Sequence, residues 1–255
     1  MDGLLLGNKK KNLRVALVLP NGPELACAIL ATSTFAGCVP LSATGAVSEL
    51  KQDILRCGPD LVIGPYAAST LPHIDWTVHA HVAQVATECN IPYCGLIPHP
   101  EIAGPFRLVS GTTVVESFAA APVAPPVSAP SLPCNTGLDE ALVLFTSGTT
   151  GNKKLVPHVT CDLLCAAVTI ALSWELDTSD TNCNLMPLFH VGGICRQVFA
   201  PGCSGSAVIC CPAFDAHTFW NLLQAGRFNW YYAAPTMHQI ILQTGEQVLG
   251  RAIIP

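Results

Sequence analysis

The sequence predicts an α/β fold made of parallel-type β/α layers. Two observations carry that expectation: short β-rich runs alternate with longer segments of helical spacing, and Gly, Pro and Asn fall between them. The β-rich runs are apolar throughout rather than at every second position, which marks strands covered by helices on both faces. Half of the 255 residues are hydrophobic, enough for one large core or two of ordinary size.

LRVALVL (13–19) reads as the first strand, ended by Pro20. Asn21-Gly22-Pro23 then turns the chain into a mostly apolar helix that stops near Gly37. VPL (39–41) follows, Val47, Leu50, Ile54 and Leu55 recur at helical spacing, and DLVIG (60–64) forms the next strand. Residues 76–90 are expected as a helix and 91–97 as a strand. The segment 118–137 holds five prolines and no charge, so it reads as a connector between subdomains rather than a helix or central strand. Residues 1–117 are then part of a first β/α subdomain and 138–255 part of a second. The second comprises a strand at 142–145, a loop, a helix from about 159 to 174, and a strand NLMPL (184–188). A loop with His190, a strand at 206–211, a helix capped by Asp215, a strand WYYAA (230–234) and a helix entered through Pro235 complete it.

Charged residues are only 11% of the chain and the formal net charge is -5, which leaves no basic field to collect nucleic acid. No targeting segment is read at the N-terminus, and the most apolar helix, Leu163 to Trp174, falls short of the roughly 20 residues that cross hydrocarbon. A cytoplasmic protein is expected, with a peroxisome also open. The 13 cysteines are scattered through apolar runs and read as buried thiols; no metal site is expected.

LVLFTSGTTGNKKLVPHVT (142–160) carries the strongest functional signal. Gly148 and Gly151 let backbone N–H groups approach a ligand, Thr146, Ser147, Thr149 and Thr150 add hydroxyls, and Lys153 and Lys154 add charge. A polyphosphate is the natural guest, and a position between a strand and a helix N-terminus would add the helix dipole. Asn152 stands where a Walker A loop needs its lysine, which disfavours an ordinary P-loop NTPase; the plainer reading is a Ser/Thr/Gly turn.

LFTSGTTGNKKLV resembles the phosphate-binding signature of the adenylate-forming superfamily, and MPLFHVGG (186–193) resembles its next block. Residues 15–55 resemble its N-terminal subdomain, and 218–242 look most like the oxalyl-CoA synthetase and related acyl-activating branch; the likeness is weakest over 66–137. The resemblance implies that Thr146, Ser147, Gly148, Thr149, Thr150, Gly151 and Lys154 hold the β- and γ-phosphates of ATP. It also implies that His190 stands near the entrance of a carboxylate pocket, donating to the acyl oxygen or moving as a gate; a histidine at a helix start is the plainer reading. Lys153 stands where the family usually has proline, and Leu155 where it usually has glycine; a looser loop and an added attraction for phosphate pull in opposite directions.

The implied activity is ATP-dependent, AMP-forming activation of a small carboxylic acid and its transfer to coenzyme A, with ATP, Mg2+ and coenzyme A as the small molecules involved. The resemblance further implies an N-terminal adenylate-forming domain incomplete at its C-terminus, without the adenine and ribose blocks or the C-terminal lid domain, and so inactive alone. Two other classes stay open: a non-catalytic nucleotide-binding remnant acting through a partner, and a structural relative that has lost nucleotide binding, for which Lys153 is the hint.

Overall fold

The computed structural model describes residues 13–42, 44, 46–66, 81–110, 113–114, 134–146 and 153–250. Their contacts divide the chain into two compact units, one comprising residues 1–20 and 27–162 and the other 21–26 and 163–255. The proline-rich connector expected at 118–137 falls mostly outside the described residues.

The first unit is built on an eight-stranded sheet of order β6-β5-β4-β3-β1-β2-β7-β8. Strands β1 (Arg14–Leu17), β2 (Gly37–Pro40), β3 (Leu61–Pro65), β4 (Tyr93–Pro98) and β7 (Glu140–Thr146) run parallel. Strands β5 (Phe106–Ser110), β6 (Thr113–Val114) and β8 (Lys154–Val159) add antiparallel pairs at the two ends. The crossover helices α1 (Pro23–Phe35), α2 (Val47–Cys57) and α3 (Val82–Glu88) follow the expected β/α rhythm. The expected parallel β/α layers are therefore present at the centre of the sheet, and the antiparallel strands at its two ends are additions that the sequence reading did not include. Leu50 and Ile54 of α2 and Val82, Val85 and Ala86 of α3 bury one face of the sheet against Ala16, Val39, Val62 and Val143. The stripe at 50, 54 and 57 is the helical spacing that a packed helix presents to a core.

β7 carries the donor-rich loop at its C-terminal end, and its N-terminal end is pinned in place. Arg14 on β1 makes a bidentate pair with Glu140, Nε to Oε1 at 2.6 Å and Nη2 to Oε2 at 2.8 Å, while its Nη1 donates to the Cys57 carbonyl at 3.0 Å. That pair has to cross β2, and residue 37 of β2 is glycine: a Cβ there would lie 2.6 Å from Glu140 Oε1. The Asn135 amide donates to the carbonyls of Ser33, Ala36 and Glu140, tying the approach to β7 to the end of α1.

The second unit holds a three-stranded parallel sheet of order β10-β9-β11, made of β9 (Thr181–Asn184), β10 (Ala207–Cys210) and β11 (Trp230–Tyr232). Helix α4 (Thr160–Ser173) leads into it; a π-helical run, Gly192–Phe199, continues into α5 (Ala200–Ser204), and α6 (Ala216–Gln224) and α7 (Pro235–Leu249) cover the sheet. Phe219, Trp220, Phe228 and Ile241 form its core with Cys183 and Leu185. Asp215 caps α6 as expected, its carboxylate accepting from the Thr218 hydroxyl at 2.6 Å and the Thr218 N–H at 2.8 Å; those bonds hold its pKa below the ordinary carboxylate value. Asp215→Ala should therefore lower stability by about 1 kcal/mol, read as a shift of the thermal midpoint. No helix among the described residues is long and apolar enough to cross a membrane.

The cysteines divide between core and surface. Cys38, Cys57, Cys94, Cys183, Cys195 and Cys211 are buried, as expected of thiols in apolar runs, but Cys27, Cys134, Cys165 and Cys203 are exposed. Burial pushes the Cys57 thiol up to about 12 and leaves it inert.

Candidate functional site

The donor-rich segment sits differently from the sequence expectation. Residues 154–159, read as loop before the helix, form β8, which returns antiparallel along β7 with Thr146 opposite Lys154, Phe145 opposite Leu155 and Val143 opposite Pro157. Helix α4 starts at Thr160, close to the expected position 159, but β8 lies between Lys154 and it, so the expected helix dipole does not follow directly on the donor-rich segment. KLVPHV is rich in β-branched and apolar residues, and its proline is tolerated because β8 is an edge strand with one neighbour. His158 also lies on β8, opposite Leu142.

Of the loop residues singled out in the sequence, Ser147, Gly148, Thr149, Thr150 and Gly151 lie outside the described residues. Thr146 and Lys154 are described, and directly opposed residues of an antiparallel pair point to the same face. Both are exposed at the end of the hairpin. Lys154 has no ion-pair partner among the described residues.

Lys153 is in the opposite condition. Its Nζ lies 2.6 Å from Asp53 Oδ2 and 2.7 Å from Glu49 Oε1, two carboxylates one turn apart on α2, and 5.9 Å from the Phe145 ring centroid. Burial opposes its charge, but the hydrogen bonds and attraction from Asp53 and Glu49 outweigh it and hold the ammonium above its ordinary pKa. Arg56 Nη1 donates to the Lys153 carbonyl at 2.6 Å, a further tie to the same helix. The expected attraction of Lys153 for phosphate is thus corrected: its charge is neutralised by α2. Lys153 precedes β8, which begins at Lys154, and its side chain turns to α2 while Lys154 stays exposed beside Thr146.

His190 stands in the second unit, exposed, at the end of the loop that leaves β9. Its N–H donates to the Pro187 carbonyl at 3.2 Å, its carbonyl accepts from Ile194 N–H at 3.1 Å, and its ring lies 4.9 Å from that of Phe189. It therefore both opens a helical segment and faces solvent. The strand expected at 184–188 is displaced to Thr181–Asn184, because the sequence TNCN carries polar side chains that look like loop residues.

Those polar side chains organise the His190 loop. Asn182 and Asn184 are buried on one face of β9; Asn182 Nδ2 donates to the Gln197 carbonyl at 3.1 Å and Asn184 Nδ2 to the Gly193 carbonyl at 3.3 Å. Asn184 Oδ1 also accepts from Met186 N–H at 2.9 Å. Two steps along, Asn21 Oδ1 accepts from Leu188 N–H at 2.8 Å while its Nδ2 donates to the Cys211 carbonyl at 2.7 Å. Gln197 is wholly buried, and in one orientation of its amide the nitrogen donates to the Cys183 and Tyr232 carbonyls at 3.2 and 3.3 Å. Four amides thus secure the loop and the π-helical run; π-helical turns recur at functional sites. Sequence reasoning missed Asn182, Asn184 and Gln197; two asparagines at i and i+2 beside buried apolar residues were the available signal.

Gly193 lets the π-helical run close against the loop. A Cβ there would meet the Pro187 carbonyl oxygen at 2.4 Å and Met186 Cβ at 3.1 Å. Backbone cannot yield as a flexible side chain can, so Gly193→Ala should cost about 1–3 kcal/mol, measured as a lowered urea midpoint. Tyr232 closes the same region from β11, its Cε1 lying 3.1 Å from where a Gly192 Cβ would stand.

With the fold and these residues in place, the chain can be assigned: it belongs to the AMP-binding enzyme family, which it matches over residues 2–251. Among its relatives, the acyl-CoA synthetase ALT10 of Alternaria alternata is 29% identical over 241 residues, covering 91% of this chain and 42% of that protein. The oxalate–CoA ligase of Arabidopsis thaliana is 40% identical over 106 residues, 41% of this chain and 21% of the ligase. The chain thus spans less than half the length of either. ATP-bound MatB from Rhodopseudomonas palustris shares the fold, with a TM-score of 0.68 at 19% identity, covering 95% of this chain and 43% of that one. The resemblance to adenylate-forming enzymes drawn from residues 142–160 and 186–193 therefore holds.

Proposed function

We propose that this chain binds MgATP at the end of the β7–β8 hairpin and takes part in AMP-forming activation of a small carboxylic acid for transfer to coenzyme A. The observation that carries this reading is that exposed Thr146 and exposed Lys154 lie opposite each other at the end of the β7–β8 pair, Lys154 having no ion-pair partner among the described residues, in a member of the AMP-binding enzyme family. Lys154 meets the β- and γ-phosphates, with Thr146, Ser147, Thr149 and Thr150 supplying hydroxyl donors and Gly148 and Gly151 admitting backbone N–H groups. Magnesium enters as part of the nucleotide complex and offsets triphosphate charge.

In the first step an oxygen of the acid attacks the α-phosphorus, the bond to the pyrophosphate oxygen breaks, and an acyl-adenylate forms. Lys154 and the hydroxyls steady the departing pyrophosphate, which is where charge accumulates. In the second step the coenzyme A thiolate attacks the acyl carbon and AMP leaves. His190 donates to the acyl oxygen or swings as a gate, on a loop fixed by Asn21 and Asn184.

Carboxylate-dependent exchange of labelled pyrophosphate into ATP tests this reading. Exchange with at least one class among short dicarboxylates, fatty acids and aryl acids is expected. A flat response across all three, with MgATP bound, would remove the activation step.

A further inference from the structure

Two of the buried thiols meet in the core of the second unit. Cys183 on β9 and Cys211, one residue past the end of β10, have their sulfurs 3.8 Å apart in the cluster that holds Phe219 and Trp220. Register explains the meeting. Ile209 stands opposite Cys183 and Cys210 opposite Asn184, and the Cys211 N–H donates to the Asn184 carbonyl at 3.1 Å, so Cys211 extends the ladder by one position. Side chains alternate along a strand, so residues 183 and 211 share the face turned to this core, while Cys210 shares the other face with Asn184.

The two sulfurs are inequivalent. Either can donate to the other; with Cys183 as donor the Cys211 thiolate is favoured, its pKa lowered by that bond against burial and the nearby Asp215 charge, while the same bond and then burial raise Cys183. Cys211 is also the better placed to meet a reagent, 4% exposed against 0% for Cys183. It follows a four-residue strand at the edge of the three-stranded sheet, and short edge strands open locally at small cost.

The pair is coupled to the His190 loop through one amide. Asn21 Nδ2 donates to the Cys211 carbonyl at 2.7 Å, and Asn21 Oδ1 accepts from the N–H of Leu188, two residues before His190. Disulfide sulfurs stand about 2.05 Å apart, well inside the present 3.8 Å, so closing that bond draws Cys211 toward β9 and pulls on the carbonyl that Asn21 holds.

We infer that Cys183 and Cys211 are a peroxide-reactive site, Cys211 reacting first and Cys183 resolving it to an intrachain disulfide that repositions the 188–190 loop. The Cys211 thiolate attacks one oxygen of the peroxide, the O–O bond breaks, and the hydroxide that leaves takes a proton to become water. Cys211 is then a sulfenic acid. The Cys183 sulfur attacks the sulfenic sulfur, the S–O bond breaks, and a second water departs with the Cys183 proton. Two thiols have lost two electrons, and one peroxide has become two waters.

The experiment treats the chain with hydrogen peroxide, alkylates the remaining thiols in denaturant and maps the cysteines by mass spectrometry, for the parent, Cys183→Ala and Cys211→Ala. The parent should lose two hydrogens in a Cys183–Cys211 cross-link that dithiothreitol removes. Lacking the resolving thiol, Cys183→Ala should accumulate at least about fivefold more sulfinic acid at Cys211 than the parent at the same peroxide dose, and Cys211→Ala should leave Cys183 reduced. In the parent, the Asn21 side-chain amide and the Leu188 N–H resonances should shift on oxidation and return on reduction. Oxidation confined to the exposed Cys27, Cys134, Cys165 and Cys203 overturns the site, as does equal sulfinic acid at Cys211 in parent and Cys183→Ala. A cross-link that leaves Asn21 and Leu188 unmoved overturns the coupling to the loop. The mapping and NMR of the parent decide both points even where a variant fails to fold.

Discussion

Lys154→Ala is expected to weaken MgATP binding roughly tenfold, whereas Lys153→Ala should change it by less than about threefold. The two lysines are adjacent and bear the same charge, so composition gives no reason to separate them. Their surroundings do. Lys153 is engaged by Asp53 and Glu49 at 2.6 and 2.7 Å, and its removal takes away an attachment to α2 rather than a phosphate donor. Lys154 shares its face with Thr146 and has no carboxylate partner among the described residues. A charge-assisted hydrogen bond to a phosphate oxygen contributes about 1.5 kcal/mol or more, which is the source of the tenfold figure. Calorimetric titration of both variants checks the order; a larger loss in Lys153→Ala would mean that the hairpin presents its opposite face to the nucleotide.

Asn184→Ala should destabilise the chain by about 2–5 kcal/mol, because it leaves two backbone groups, the Met186 N–H and the Gly193 carbonyl, without their partner. Asn182→Ala removes one such bond, to the Gln197 carbonyl, and should cost about 1–3 kcal/mol. Urea unfolding of the two variants reads the difference. Equal losses, or a loss below about 1 kcal/mol for Asn184→Ala, would show that water or a shifted loop satisfies the freed groups.

Much of this molecule is visible in its sequence because burial leaves a periodic trace. Leu50 and Ile54 of α2, the largely apolar runs of β1 and β3, and the Asp215 cap were all legible, each a local consequence of side-chain chemistry, whereas Val47 and Leu55, read on the same helical stripe, are exposed. Residues 154–159 were not, since KLVPHV follows a glycine-rich loop and contains a proline; only its pairing with β7 makes it a strand. β9 escaped for a related reason: its two asparagines are buried by bonds to a π-helical run nearly ten residues or more away, and a sequence does not display a bond of that range. The candidate residues themselves were legible as residue types. Which of two neighbouring lysines is without a carboxylate partner among the described residues was not, because that depends on where α2 places Glu49 and Asp53.

Amide NMR during titration with MgATP, magnesium pyrophosphate and AMP tests most directly whether the β7–β8 hairpin holds a triphosphate tail. Thr146 and Lys154 should shift with MgATP and with magnesium pyrophosphate and stay in place with AMP. Saturation with MgATP that leaves both resonances unmoved, or AMP alone reproducing their shifts, would contradict that assignment.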